Sequence, residues 1–171
     1  MQQLFSVKNN CVSAEEFLYL RKLLGWCIYD LEELRVGLRG SVFNVGIYRF
    51  DTIVGMGRIV GDSRICFYLQ DIMVDPSFQN QGIGTVIVAS LLAYIQTNAV
   101  NSAYVGLMSK LGKSGFYERF GFVSRPNDQM GPGMVIPCFD SDTVGNQTAS
   151  NNFCGKCRAI ADPTRHRIID S

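Results

Sequence analysis

Gly82 and Gly84 stand one residue apart in the run V-D-P-S-F-Q-N-Q-G-I-G-T, residues 74–85. The β-branched and aromatic stretch 65–74 before it reads as a buried strand that stops at Asp75-Pro76. Apolar residues at helical spacing resume at Ile83. A strand feeding a glycine loop and then a helix has a definite chemistry. Glycine lets backbone come close to a ligand, and the helix start leaves N–H groups unpaired with the positive end of the dipole behind them. Such a loop receives a phosphate or pyrophosphate, or it is a plain strand-to-helix turn. Gln79, Asn80 and Gln81 offer neutral donors beside it. A Walker loop is excluded because Thr85, not lysine, follows Gly84. A dinucleotide fingerprint is excluded because Ile87 stands where the third Gly or Ala belongs.

Asp71 is the second residue with chemistry in it. A carboxylate inside the apolar run Cys66–Val74 is costly unless it is used or paired. It is therefore a candidate base or amine anchor, or else a sheet-face carboxylate paired with an arginine such as Arg58. Tyr68, through a water, is another candidate base. Asp30, Glu32 and Glu33 either draw a cationic substrate or form a solvated helix face. Near the C-terminus, Cys154-Gly-Lys-Cys157 is followed by His166, the single histidine. Three soft ligands fall short of a zinc site, and no thioredoxin-like pattern surrounds the cysteine pair, so no metal is expected.

These residues need a scaffold. Residues 3–7 read as a strand. Ser13 with Glu16 is a capping-box signature for a helix over 14–24. A second helix is expected over about 29–38, and strands over 42–49 and 52–60 form a hairpin through Phe50-Asp51. After the strand at 65–74 come a helix at 83–97, a strand at 102–108 and a short helix at 113–120. Two last strands are expected near 121–125 and 133–138. That order describes an α/β protein with a mixed sheet flanked by helices.

Composition narrows the function. The 171 residues are 47% hydrophobic and 18% charged, with a formal charge of +1, so no broad basic field invites nucleic acid. The longest apolar stretch, Ile83–Ile95, is too short to span a membrane. No signal sequence is legible at the N-terminus, and cysteines embedded in apolar segments indicate a reducing, cytoplasmic setting. Residues 1–140 hold most of the large apolar side chains, whereas 141–171 are rich in Ser, Asn, Thr, Gly and Asp. The expected division is a domain over 1–140 and a polar, loosely ordered tail.

The segment Gln79-x-x-Gly82-x-Gly84 resembles the coenzyme A loop of the GNAT superfamily of N-acetyltransferases. S-G-F-Y-E-R-F-G-F, residues 114–122, resembles that superfamily's second signature, and the element order matches over roughly residues 2–138. R-P-N-D-Q-M-G-P-G-M, residues 125–134, is similar to the bacterial branch with arylalkylamine-type enzymes. The resemblance implies a centrally splayed sheet with acetyl-CoA lying in the split. It implies a coenzyme site made by Ile72, Met73 and Val74 on the strand edge, by Gln79, Asn80, Gln81, Gly82, Ile83, Gly84 and Thr85 around the pyrophosphate, and by Ser114. It also implies that Tyr117 delivers a proton to the departing thiolate and that the N–H near Val74 polarises the thioester carbonyl. The expected activity is transfer of the acetyl group of acetyl-CoA to a primary amine of a small molecule by direct attack. A protein acceptor and a coenzyme-binding module without turnover are the alternatives. The sequence is also compatible with a homodimer.

Overall fold

The computed structural model describes residues 5–135. They divide into two units, one ending at Phe122 and one beginning at Val123. The first carries the strands β1 (Phe5–Asn9), β2 (Phe43–Arg49), β3 (Thr52–Gly61), β4 (Cys66–Val74) and β5 (Tyr104–Leu107). Its helices are α1 (Ala14–Leu23), α2 (Leu31–Arg39), α3 (Ile83–Asn98) and α4 (Ser114–Glu118). The strands lie in sequence order in one sheet, antiparallel up to β4 and parallel between β4 and β5. This is the mixed sheet that the sequence predicts.

Local chemistry accounts for the boundaries. Ser13 and Glu16 close both bonds of the capping box at the head of α1 (3.1 and 2.8 Å). Asp30 caps α2 through the Glu32 N–H, 2.9 Å away. Phe50 and Asp51 make the two-residue hairpin turn, with Phe50 in the left-handed region at φ 54°.

Two cores lie on opposite faces of the sheet. Ile83, Ile87, Val88, Leu91 and Ile95 of α3 pack on Phe43, Val45, Ile47, Val54, Ile59, Phe67 and Leu69. On the other face Phe17 and Leu20 of α1 and Leu34 of α2 meet Tyr48, Ile53, Met56 and Met73. Gly57 lets α3 settle close on the sheet: a Cβ there would lie 2.5 Å from the Ile87 side chain.

The strand expected at 121–125 does not form. Past α4 the chain turns at Gly121 (φ 86°). Farther on, Asn127 Oδ1 accepts the N–H groups of Gln129 and Met130, and Arg125 Nε donates to the Gly131 carbonyl. The segment's polar groups are spent in its own turn, and Pro126 has no N–H for a ladder. Residues 133–135 are irregular, and the rest of the expected last strand lies outside the described residues. So do the compositional boundary near 140, the Cys154/Cys157 pair and His166.

Candidate active site

The site begins where β4 and β5 part. β5 pairs only with the first half of β4, from Cys66↔Tyr104 to Leu69↔Leu107, while β4 continues to Val74. Beyond Leu69 one edge of β4 has no strand beside it among the described residues. On its other edge β3 pairs with a register shift between Met56 and Arg58, opposite the β4 segment that contains Asp71 at φ 50°. This is a bulge with its first residue in the left-handed region.

One extra residue reverses the alternation of side chains. Phe67 and Leu69 pack on the α3 face, but past the bulge it is Ile72 and Val74 that do so, while Met73 enters the opposite core. The backbone follows the same logic. Asp75 N–H donates to the Val54 carbonyl on β3 (2.9 Å), so Val74 and Ile72 turn their N–H groups away from β3 and toward the split. Met73 turns its backbone to β3 and buries its side chain at 1% exposure, unlike its two neighbours.

Residues 79–85 lead from the end of β4 into α3, with Gly84 between Val74 and the Phe116 ring of α4. Asn80 (φ 60°) and Gly82 (φ 84°) are both left-handed, and such a succession turns backbone N–H groups to a common side. Gly82 is the N-cap of the sixteen-residue α3 and gives it no side-chain cap. Val86 N–H is the first to close a helical bond, onto the Gly82 carbonyl. The N–H groups of Ile83, Gly84 and Thr85 are thus left for something outside the helix. Ile83 contributes only its backbone there, because its side chain is in the core. Thr85 and Ser114 are exposed.

The structure alters two details of the loop. Gln79 Nε2 donates to the Val74 carbonyl (3.1 Å) and Gln81 Nε2 to the Ser77 carbonyl (3.3 Å). Both side chains therefore fasten the loop to its own approach, and the second N–H of each is what remains to offer. The two glycines also differ in purpose. Gly82 needs its φ and faces open space, whereas a Cβ on Gly84 would lie 3.3 Å from Phe116 Cζ. Gly84 is small so that α4 can lean against the head of α3.

That contact sets the place of Tyr117. Its ring stands edge-on to Phe116 (4.9 Å between centroids) and to Phe122 (6.2 Å). The ring packs against the α3-side core, and its hydroxyl has no hydrogen-bond partner among the described residues. Burial pushes the phenol above its ordinary pKa, so it holds its proton. Tyr68 lies lower on β4, opposite Gly106 and below the split. Burial, with the charge of Tyr104 second, raises its pKa too, which makes it a poor base.

Asp71 has both oxygens engaged. Oδ2 accepts from Arg58 Nε at 2.6 Å and Oδ1 from Arg21 Nη1 at 3.0 Å, with the carboxylate side chain 8% exposed. Asp71 is an ion-pair anchor in the structure, with one arginine on each oxygen. Pairing with Arg58 is one of the two sequence readings; Arg21 was missed. Its signal was present, since Arg21 falls on the apolar stripe of α1 with Phe17 and Leu20. Among the acidic residues of α2, Asp30 serves as the cap, and Glu32 pairs with Arg35 and Arg39.

A model of the acetyltransferase (GNAT) domain matches residues 27–136. The chain belongs to the GNAT acetyltransferase family. The GNAT chain is 32% identical to a probable acetyltransferase of unknown function from methicillin-resistant Staphylococcus aureus. That match covers 78% of this chain and 98% of the other, with a TM-score of 0.71. It is 20% identical to an uncharacterized N-acetyltransferase of Gracilaria tenuistipitata over 72% of this chain and 69% of the relative. A third relative, a chloroplastic GCN5-related N-acetyltransferase of Arabidopsis thaliana, is 34% identical over 43% of this chain and 36% of its own length. The GNAT domain identifies the protein as an acyltransferase. No helix among the described residues is long and apolar enough to cross a membrane.

Proposed function

We propose that this GNAT protein transfers the acetyl group of acetyl-CoA to a primary amine of a small molecule by direct attack. The observation that carries the reading is the edge of β4 at Ile72–Val74, unpaired by β5, together with the uncapped head of α3. An amide chain fits the first, by strand addition, and a pyrophosphate fits the second. Ile72 and Val74 would pair with the pantetheine amides, and the N–H groups around Gly82, Ile83, Gly84 and Thr85 would hold the pyrophosphate. The thioester supplies an activated acyl carbonyl.

The chain's own contributions are positioning, polarisation and a proton. The split aligns the acceptor amine with the carbonyl carbon, which replaces a bimolecular encounter. A backbone N–H near Val74 that is not taken by a pantetheine amide donates to the carbonyl oxygen as negative charge grows there. As the new C–N bond forms and the C–S bond breaks, Tyr117 gives its hydroxyl proton to the leaving sulfur and takes one back from water. The amine must arrive neutral, and the bound acceptor loses its remaining proton to water, since Asp71 is taken by two arginines. Free Cys11, Cys27 and Cys66 support a reducing compartment, which we take to be the cytoplasm; the chloroplastic relative makes an organelle the other candidate.

Calorimetry with coenzyme A, together with thiol release from acetyl-CoA across a panel of primary amines, tests the proposal. Saturable coenzyme binding with amine-dependent thiol release supports it. Binding without turnover of any amine would reduce the protein to a coenzyme-binding module.

A further inference from the structure

Acetyl transfer as outlined leaves the paired arginines on Asp71 without a task. Arg21 is 7% exposed, and its guanidinium lies over the rings of Tyr29 (4.6 Å), Trp26 and Phe17. Its Nε donates to the Cys27 carbonyl (2.8 Å) and its Nη1 to Asp71. Its Nη2 takes no partner among the described residues. The one fully enclosed side-chain polar atom without a partner among those residues is Arg49 Nε, so Arg21 Nη2 is reached by solvent. Arg58, the second cation, also donates to the Gly37 carbonyl and to Ser41 Oγ.

Two guanidiniums share the Asp71 carboxylate, and among the described residues it is the only carboxylate that either of them bonds. Glu16 is held by Ser13 and Tyr48, while Glu15 and Glu32 pair with Arg35. An uncompensated cation in a dry setting is costly, and aromatic faces offset part of that cost. A donor that opens outward from such a cluster is suited to an anionic oxygen, with a charge-assisted bond. The cluster also lies on the sheet face opposite α3. Asp71 immediately precedes Ile72–Val74, the part of β4 to which the reading above assigns the coenzyme.

We propose that the acceptor carries an anionic group, a carboxylate or a phosphate, near its amine, and that Arg21 Nη2 binds it with Arg58 as the second cation. The inference rests on the acetyltransferase reading above. Purely cationic amines are repelled by the excess charge, whereas an amine with its own anion neutralises the cluster.

The test uses the full chain and matched amines that differ only in bearing a carboxylate, a phosphate, or a neutral amide in the same place. Anionic members should exceed the neutral one in kcat/KM by about 10-fold or more, chiefly through KM. The better of the two anionic arms names the group. Arg21→Gln and Arg58→Lys should bring the ratio toward one. Asp71→Asn should keep or raise it, a sign that loss of folding would not produce. Equal or better turnover of the neutral amine by the parent chain overturns the anion site and leaves acetyl transfer standing. If no amine is turned over, calorimetry with the carboxylate- and phosphate-bearing amines on the coenzyme-saturated chain decides. Binding lost in Arg21→Gln keeps the anion site although the transfer reading falls, and absence of binding removes both.

Discussion

Tyr117 is half-buried, ringed by Phe116 and Phe122, and has a hydroxyl with no partner among the described residues. An acid must be protonated when it is needed, and burial secures that by raising the phenol above its usual pKa of about 10. Tyr117→Phe keeps the ring and its packing. We expect kcat to fall by about 10²-fold with KM for acetyl-CoA nearly unchanged, because the proton is used only in the transition state. A parent rate in this variant would assign the proton to another donor. The pH profile should rise as the acceptor amine loses its proton and should not turn down below about pH 10. Stability follows the opposite limb. The folded pKa lies above the unfolded one, so Tyr117's contribution is intact below the unfolded value and is lost as pH rises through the folded value. Alkaline denaturation of Tyr117→Phe should accordingly begin at higher pH than that of the parent.

Loops and strand ends carry the remaining constraints. Gly82 at φ 84° holds the N–H groups at the head of α3 in place, and alanine there fits in space but not in backbone. Gly82→Ala should cost about 1 kcal/mol of stability and weaken coenzyme A by a similar amount, read by calorimetry on the folded variant. Gly84→Ala meets the Phe116 ring instead, so its effect should show as a displaced α4 and a lower kcat, with smaller loss of coenzyme affinity. If both variants bind coenzyme A as the parent does, the pyrophosphate lies elsewhere. The β2–β3 hairpin offers an unrelated check. Phe50 is 79% exposed in a left-handed conformation that suits asparagine better. Phe50→Asn should stabilise the fold by about 1 kcal/mol, seen as a rise of roughly 2–4 °C in Tm.

On the scale of the whole molecule, binding and folding are linked. Coenzyme A at 100 times its Kd should add about 2.7 kcal/mol to stability and raise Tm accordingly. The family match ends at residue 136, and the Staphylococcus aureus relative is covered almost fully by 78% of this chain. A chain ending at residue 140 should therefore fold and release thiol from acetyl-CoA at the parent rate. A folded but inactive truncation would give the remaining residues a part in catalysis.

Much of this protein was written locally. The capping box at Ser13, the two-residue hairpin at Phe50-Asp51, the strand that stops at Asp75-Pro76 and the glycine loop at the head of α3 each depend on neighbours within a few residues. Side-chain oxygens, φ preferences and a missing proline N–H act at that range, so these elements were legible in the sequence. The tertiary structure decided what depends on contacts across the sheet. A bulge at Asp71 reverses which face Ile72 and Val74 occupy, and nothing in alternating hydrophobicity marks where the alternation will slip. Arg21 and Arg58, 50 and 13 residues from Asp71, meet it only because α1 and β3 pack against β4 there. The carboxylate that the sequence offered as a base, an amine anchor or a partner of an arginine such as Arg58 is held by two arginines. Residues 121–125 carry a strand's composition, yet the turn at Gly121 and the turn chemistry from Arg125 onward left them irregular. Backbone pairing needs a partner, and a partner is a property of the fold rather than of the segment.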